Sequence, residues 1–237
     1  MDKDSKMSFW DHLDEFRSRL LIVLAYIVVG FFIGYYYSQV IIQMLLEPSR
    51  EYDMISFQVI KVTSMFMIQI GVSFFGGMVI GFPVMVYHLI RFLAPALKSG
   101  VMRLVLLVFF SILLFSAGIL FAYHILIPFL LNFFTSISFN DMDVQYNFTL
   151  GAYINYVLWI IFISGIIFQL PIISIVGYRT GILTPEFLRH YRKHAFILFL
   201  IMSALITPPD PFSQILIFIP FVVLYEISII VSKFYKK

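Results

Sequence analysis

The chain has 237 residues, of which 61% are hydrophobic and only 12% charged, with a formal net charge of +3. A water-soluble domain cannot hide that much apolar surface, so lipid must serve as the solvent. There is no cysteine, which excludes disulfides and thiol chemistry, and the small basic excess sits in loops and does not form a nucleic-acid-binding surface.

The first element is the run Phe9 to Leu24, FWDHLDEFRSRLLIVL. Ser8–Leu20 is expected to be an amphipathic interfacial helix, with Ser8 as N-cap and Asp11 completing a capping-box-like pair. Leu13, Phe16 and Leu20 form one apolar stripe. Glu15 and Arg19 are spaced i, i+4, and Asp14 and Arg17 i, i+3, each pair stabilising an exposed helix by only about 0.2–0.5 kcal/mol. The three acids Asp11, Asp14 and Glu15 outnumber Arg17 and Arg19. A carboxylate is therefore left over to accept an outside cation, most naturally the planar fork of an arginine.

The spans follow. Charge-free runs cover Leu20–Leu46, Val62–Ile90, Leu104–Asn140 and Val144–Tyr178, with shorter ones at Ala195–Pro209 and Pro211–Tyr225. A helix needs about 20 apolar residues to cross a roughly 30 Å hydrocarbon core. The runs predict an all-α integral membrane protein made of one domain, 1–237. Its six transmembrane helices fall near 20–40, 62–90, 103–127, 151–176, 194–207 and 213–231. The first run is too long for a cleavable signal peptide and is expected to stay as the first helix. With the N-terminus inside, 14 Lys and Arg lie on the inner side, and only Arg50 and Lys61 lie outside. That asymmetry predicts both termini inside. The last two helices are short. Ala195–Ile206 spans about 18 Å, so either its flanks extend it, the bilayer thins around it, or neighbouring helices shield it.

Pro83, Pro128, Pro171 and Pro220 lie in or at the ends of spans and are expected to bend them into a kinked, cupped bundle. Gly30 and Gly34, and Gly77 and Gly81, allow close helix approach inside the chain. Deep polar groups are few. Gln169 precedes Pro171, Glu226 sits near the inner end of the last helix where Lys233 could approach it, and Asp210 is placed to cap that helix.

Enzyme signatures are missing: there is no GxSxG, HExxH or phosphate-binding lysine loop. His190 and His194 share a helix face, but Arg189, Arg192 and Lys193 around them repel a metal cation and no third ligand accompanies them. Neither a cofactor nor a metal is expected. A secondary transporter for a small solute is the alternative, though such folds show internal repeats, which this chain lacks, and midplane polar groups, of which it has few.

One ordered set of motifs says more. His12-Leu13-Asp14-Glu15-Phe16-Arg17-Ser18-Arg19-Leu20 resembles the HLxELRxRL signature of the TatC family, the multispanning subunit of the twin-arginine protein translocase. In order there follow Pro48; Phe82-Pro83 with Tyr87; Phe92-Leu93-Ala94-Pro95-Ala96-Leu97; Gly118, Phe121-Ala122-Tyr123 and Pro128-Phe129. Tyr153, Phe168-Gln169-Leu170-Pro171, Thr207-Pro208-Pro209-Asp210, Ser213-Gln214, Pro220 and Tyr225-Glu226 complete the match.

The resemblance implies a non-enzymatic receptor and core that binds signal peptides carrying consecutive arginines on its inner face. It would move folded proteins with the proton-motive force, together with single-span TatA/TatB-like subunits. A homo-oligomer within a larger complex is implied, in a bacterial cytoplasmic or mitochondrial inner membrane. Glu15 would take the guanidinium, Arg17, Arg19 and Phe92 would shape the surface, and Phe92 to Leu97, with Pro95, would form an inner docking loop. Pro48, Pro83, Gln169, Pro171, Asp210 and Glu226 would serve structure or translocation. Two positions depart from the family pattern: Val101 stands where a second recognition acid is expected, and Gln169 replaces the acid of FExP.

Overall fold

The structure, a computed structural model, describes residues 9–52, 55–97, 100–136, 146–206 and 211–234. Ser8, Asp141, Asp143, Thr207–Asp210 and the tail from 235 lie outside the described residues, so the expected caps at Ser8 and Asp210 are not among them. Among the described residues, four helical stretches are long and apolar enough to cross a membrane: His12–Tyr36, Ser64–Pro95, Val101–Ser136 and Leu150–Arg179. The fold is mostly helical, and the chain is a multi-pass integral membrane protein.

Helix α1 (Phe9–Tyr36) runs unbroken from the charged run into the first span. The expected interfacial helix is thus the first turns of the span itself, because nothing between Arg19 and Leu24 breaks the backbone. Helix α2 (Ser38–Leu46) and a single 3-10 turn at Glu47–Ser49 follow. Helix α3 (Ser64–Leu97) extends well past residue 90, so Phe92–Leu97 is helix and not the expected docking loop. Pro95 forfeits one backbone hydrogen bond there, while Leu97, 2% exposed, packs with Phe82, Val86, Ile90 and Phe115 and holds the last turn down.

The third span also outruns its expected end. Helix α4 (Val101–Phe121) passes through a π-helical turn at Ala122–Leu126 into α5 (Ile127–Ser136). Pro128 has no N–H to give the ladder, and the widened turn just before it lets the helix continue. The fourth span is α6 (Leu150–Ile167) and α7 (Leu170–Arg179), interrupted at Phe168-Gln169 ahead of Pro171. It is the core element, with 56% of its apolar window buried in protein, against 6% for α1. A short helix α8 (Pro185–His190), N-capped by the Thr184 hydroxyl, leads to α9 (Arg192–Ile206) and α10 (Pro211–Phe234). Flanking residues do extend α9, yet its 15 residues reach only about 22 Å.

The two glycine pairs meet each other. A Cβ on Gly30 would stand 2.9 Å from the Gly77 Cα, and one on Gly77 would stand 2.6 Å from the Ile27 carbonyl oxygen. The backbones of α1 and α3 therefore touch with no side chain between, the internal packing expected of small residues in a membrane. Gly118 does the same for α4 against Ser164 and Gly165 of α6.

The connections that precede α3 and α6 are more ordered than expected. Strands β1 (Ile55–Gln58) and β2 (Tyr146–Thr149) pair in parallel and tie the two together. The carbonyls at the end of α2 accept side-chain hydroxyls, two of them from distant tyrosines, and Met44 O also accepts the Glu47 N–H. Tyr123 Oη donates to Met44 O at 2.7 Å, Tyr153 Oη to Leu45 O at 3.1 Å, and Ser49 Oγ to Leu46 O at 2.6 Å. Tyr52 Oη donates to the Pro128 carbonyl at 3.1 Å. Pro48 is buried in this arrangement.

Candidate functional site

α1 and α3 run antiparallel, so the start of one meets the end of the other. Their glycine crossing sets the angle, and the charged run of α1 lands beside the last turns of α3. There the His12 ring stacks on Phe92, centroids 4.2 Å apart and 12° from parallel, and Phe16 meets the same ring at 5.5 Å. The residues Glu15 and Phe92 are thereby brought onto one surface.

Glu15 is half-buried and already paired. Arg19 donates its Nε to Glu15 Oε1 at 2.9 Å, with a second bond from Nη2 to the same oxygen. The other oxygen, Oε2, lies 3.9 Å from His12 Nδ1. One guanidinium thus occupies one face of the carboxylate, and the second face remains for an incoming donor. The expected Asp14–Arg17 pair does not form: both side chains are exposed, and no ion pair among the described residues joins them. Asp14 is exposed on α1, off the face that carries His12, Glu15, Phe16 and Arg19. On the far side of α3, Arg91 donates Nη1 to Tyr87 Oη at 2.9 Å and rests over that ring.

Below Glu15 a groove of about 320 Å³ runs between the helices, lined by Phe16, Leu20, Leu24, Leu89, Phe92 and their neighbours. Arg19 and His88 are its polar members. His88 Nδ1 is buried without a hydrogen-bond partner among the described residues.

The remaining expected residues lie elsewhere. Pro95 is exposed on the last turn of α3, whereas Leu97 belongs to the core and offers nothing to a ligand. Val101 is 79% exposed at the start of α4. Gln169, 7% exposed, reaches from the α6–α7 break to α4: Ser111 Oγ donates to its Oε1, and its Nε2 donates to the Ser111 carbonyl at 3.1 Å. Both ends of the amide are satisfied, which is how a polar group tolerates this depth. Gln169 and Ser111 border an apolar cavity of about 570 Å³ between α3 and α7. Pro83 and Pro220 lie inside α3 and α10, and Pro171 opens α7. Glu226 is in an ion pair, but with Arg192 of α9 at 2.5 Å, its guanidinium lying one short helix away in sequence and directly opposite in space. The side chain of Lys233 lies outside the described residues.

Sequence reasoning passed over Ser111 and the groove side of His88, and gave His12 no role beyond opening the motif of α1. Ser111 carried a weak signal, one of two serines in the apolar stretch of α4. The His12–Phe92 contact and the place of His88 carried none, because they depend on which helix faces which.

These features describe a helical membrane protein with a part-neutralised acidic site on one end of its first and third helices. The family model for the Sec-independent protein translocase protein (TatC) matches residues 11–220. Sec-independent protein translocase protein TatC of Listeria innocua is 36% identical over 229 residues, covering 96% of this chain and 92% of its own. The TatCy protein of Bacillus subtilis is 36% identical over 98% of this chain and 91% of its own, and TatC of Aquifex aeolicus is 34% identical over 96% and 95%. A crystal structure of the twin arginine translocase receptor TatC superposes with a TM-score of 0.87 at 33% identity, covering 95% of this chain and all of that one. The chain belongs to the TatC family.

Proposed function

We infer that the chain is the signal-peptide receptor and core subunit of a twin-arginine protein translocase in a bacterial membrane. The observation that carries this reading is the meeting of Glu15 with Phe92 on one surface, within a chain whose residues 11–220 match its family. Oε2 of Glu15 takes a signal-peptide guanidinium, Arg19 holds the carboxylate in place through Oε1, and Arg17 and Pro95 border the surface. In this reading six spans with both termini inside form one domain over 1–237. The 14-to-2 charge asymmetry and the shared inner position of the α1 start and α3 end support that arrangement.

The subunit works without chemistry of its own. It binds and positions folded precursors, and the proton-motive force and single-span TatA/TatB-like subunits drive passage. Copies of the chain assemble within a larger complex. Pro48, Pro83, Gln169, Pro171, Asp210 and Glu226 serve structure or translocation. The small exposed pair count at the site, with Val101 in place of a second acid, favours moderate affinity for the arginines.

The test is crosslinking of position 15 to the signal of a folded precursor. Lysines in place of the signal's arginines, or Glu15→Gln, should abolish the specific crosslink. An unchanged crosslink refutes recognition through Glu15.

A further inference from the structure

We propose that the cleft between α3 and α4, on the far side of α3 from Glu15, binds an anionic phospholipid, with its phosphate at Arg91 and one acyl chain along α4. The proposal does not depend on the receptor reading.

Shape is the first argument. The cleft holds about 560 Å³. Its α4 wall is Val101, Leu104, Val105, Val108, Phe109 and Ile112. These are spaced i, i+3, i+4, i+7, i+8 and i+11, one continuous apolar face of the helix. Val101 to Ile112 rises about 16 Å. Half of a roughly 30 Å hydrocarbon core is about 15 Å, so the wall is as long as one leaflet is deep. Val101, Val105 and Phe109 are each more than half exposed, which leaves this face open to an occupant from the bilayer.

Charge is the second. Arg91 lines the same cleft and is the first charge after the run Val62–Ile90, so it marks the level where apolar chain gives way to headgroup. An interfacial arginine ordinarily snorkels freely to water. Arg91 is held: Nη1 donates to Tyr87 Oη at 2.9 Å, and the guanidinium carbon lies 5.9 Å from that ring's centroid. Among the described residues no carboxylate pairs with it, and the cleft lining contains no acid. Its other N–H groups remain for an anion, and a guanidinium fork meets two phosphate oxygens at once. The Tyr87 hydroxyl accepts from Arg91 and keeps its own proton to donate.

The start of α4 is the third. Val101 is its first residue, and no side chain hydrogen-bonds to the helix start at Gly100. The first N–H groups of a helix carry partial positive charge and favour an anion beside them. Basic pockets between membrane helices at an interface take anionic headgroups for these reasons. A zwitterionic lipid fits less well, because its phosphate already has an ammonium of its own. The cavity of similar size beside Gln169 is lined by no charged residue and offers a headgroup nothing.

The experiment mixes the full chain in a mild detergent with equal amounts of phosphatidylglycerol and phosphatidylcholine and reads bound lipid by native mass spectrometry. One phosphatidylglycerol should stay bound in preference to phosphatidylcholine. Arg91→Gln should cut its retention about tenfold, a change of about 1.4 kcal/mol, with Arg91→Lys in between. Arg103→Gln, on the same first turn of α4 but off the cleft face, should bind as the unaltered chain does. In vesicles of the same two lipids, phosphatidylglycerol with a photoreactive group in mid-chain should attach within Leu104–Ile112, a result that requires no variant to fold. No preference between the lipids, or full retention in Arg91→Gln, overturns the headgroup assignment. An equal loss in Arg103→Gln reduces the effect to general surface charge and overturns it too. Displacement of the lipid by an equal concentration of glycerol 3-phosphate, or attachment of the photoreactive chain only beside Gln169 or on α1, overturns the cleft as its seat.

Discussion

Replacing Gly77 with alanine should loosen the contact on which the Glu15 site depends. The new methyl would lie 2.6 Å from the Ile27 carbonyl oxygen and 2.9 Å from the Phe31 nitrogen. Both are backbone atoms of a helix and cannot rotate away, so α1 must move off α3 by several tenths of an ångström. Overpacking of this kind costs about 1–3 kcal/mol, and rigid neighbours place Gly77→Ala near the top of that range. Alanine recovers roughly 1 kcal/mol through its better helix propensity. The net loss is therefore about 2 kcal/mol, a fall of about 4–8 °C in Tm for a chain of this size. Gly100→Ala is the control, since a Cβ there meets nothing within 4 Å. Thermal unfolding of the purified protein in one detergent, followed by loss of the monodisperse chromatographic peak, measures both. Because the crossing orients the Glu15 and Phe92 ends, Gly77→Ala should also weaken signal crosslinking at position 15. A Gly77→Ala protein that melts with wild type and binds normally refutes the claim that backbone contact at this crossing sets the site.

Three further outcomes follow from the same structure. Ser111→Ala strands Oε1 of Gln169 at depth and should cost about 1–2 kcal/mol, seen as a lower melting temperature that Ser111→Thr restores; an unchanged melt would show that the amide finds another donor. Val101→Glu adds an acid on the exposed first turn of α4, where a helix N-terminus favours negative charge. Binding of a twin-arginine peptide should strengthen about two- to fivefold at low salt, measured by fluorescence anisotropy, and no change would remove residue 101 from the recognition surface. Tyr52 has its phenol pushed up from 10.0, first by burial and then by the Glu51 carboxylate. The unfolded chain therefore ionises it first, and its contribution is full below pH 10 and lost as pH rises beyond that value. Tyr52→Phe should flatten the alkaline limb of a stability–pH curve, and an identical limb in the variant would rule Tyr52 out as its source.

Much of this was legible in the sequence, and particular residues show why. Lipid demands about 20 apolar residues per crossing, so four long charge-free runs announced four spans. The Glu15–Arg19 pair followed from spacing on a helix, and the paired glycines of α1 and α3 announced a close crossing. Ordered motifs brought Glu15 and Phe92 into one family pattern. Element ends were harder. Spans were expected to end near residues 90 and 127, yet the helices run on past Pro95 and Pro128, because burial of Leu97 and a π-helical turn offset the missing hydrogen bonds.

Everything that required two distant segments to meet was decided by the tertiary structure. Four-residue strands 91 positions apart gave no local sign that they would pair in parallel. Glu226 had Lys233 on its own helix, but the packing of α9 against α10 supplied Arg192 instead. The tyrosines that take up the last carbonyls of α2, and the unpartnered nitrogen of His88 in its groove, are equally products of the fold. Composition and local spacing specify which segments enter the membrane. Which polar group answers which is settled only when the helices have packed, since an unmet hydrogen bond in lipid costs more than any local preference can supply.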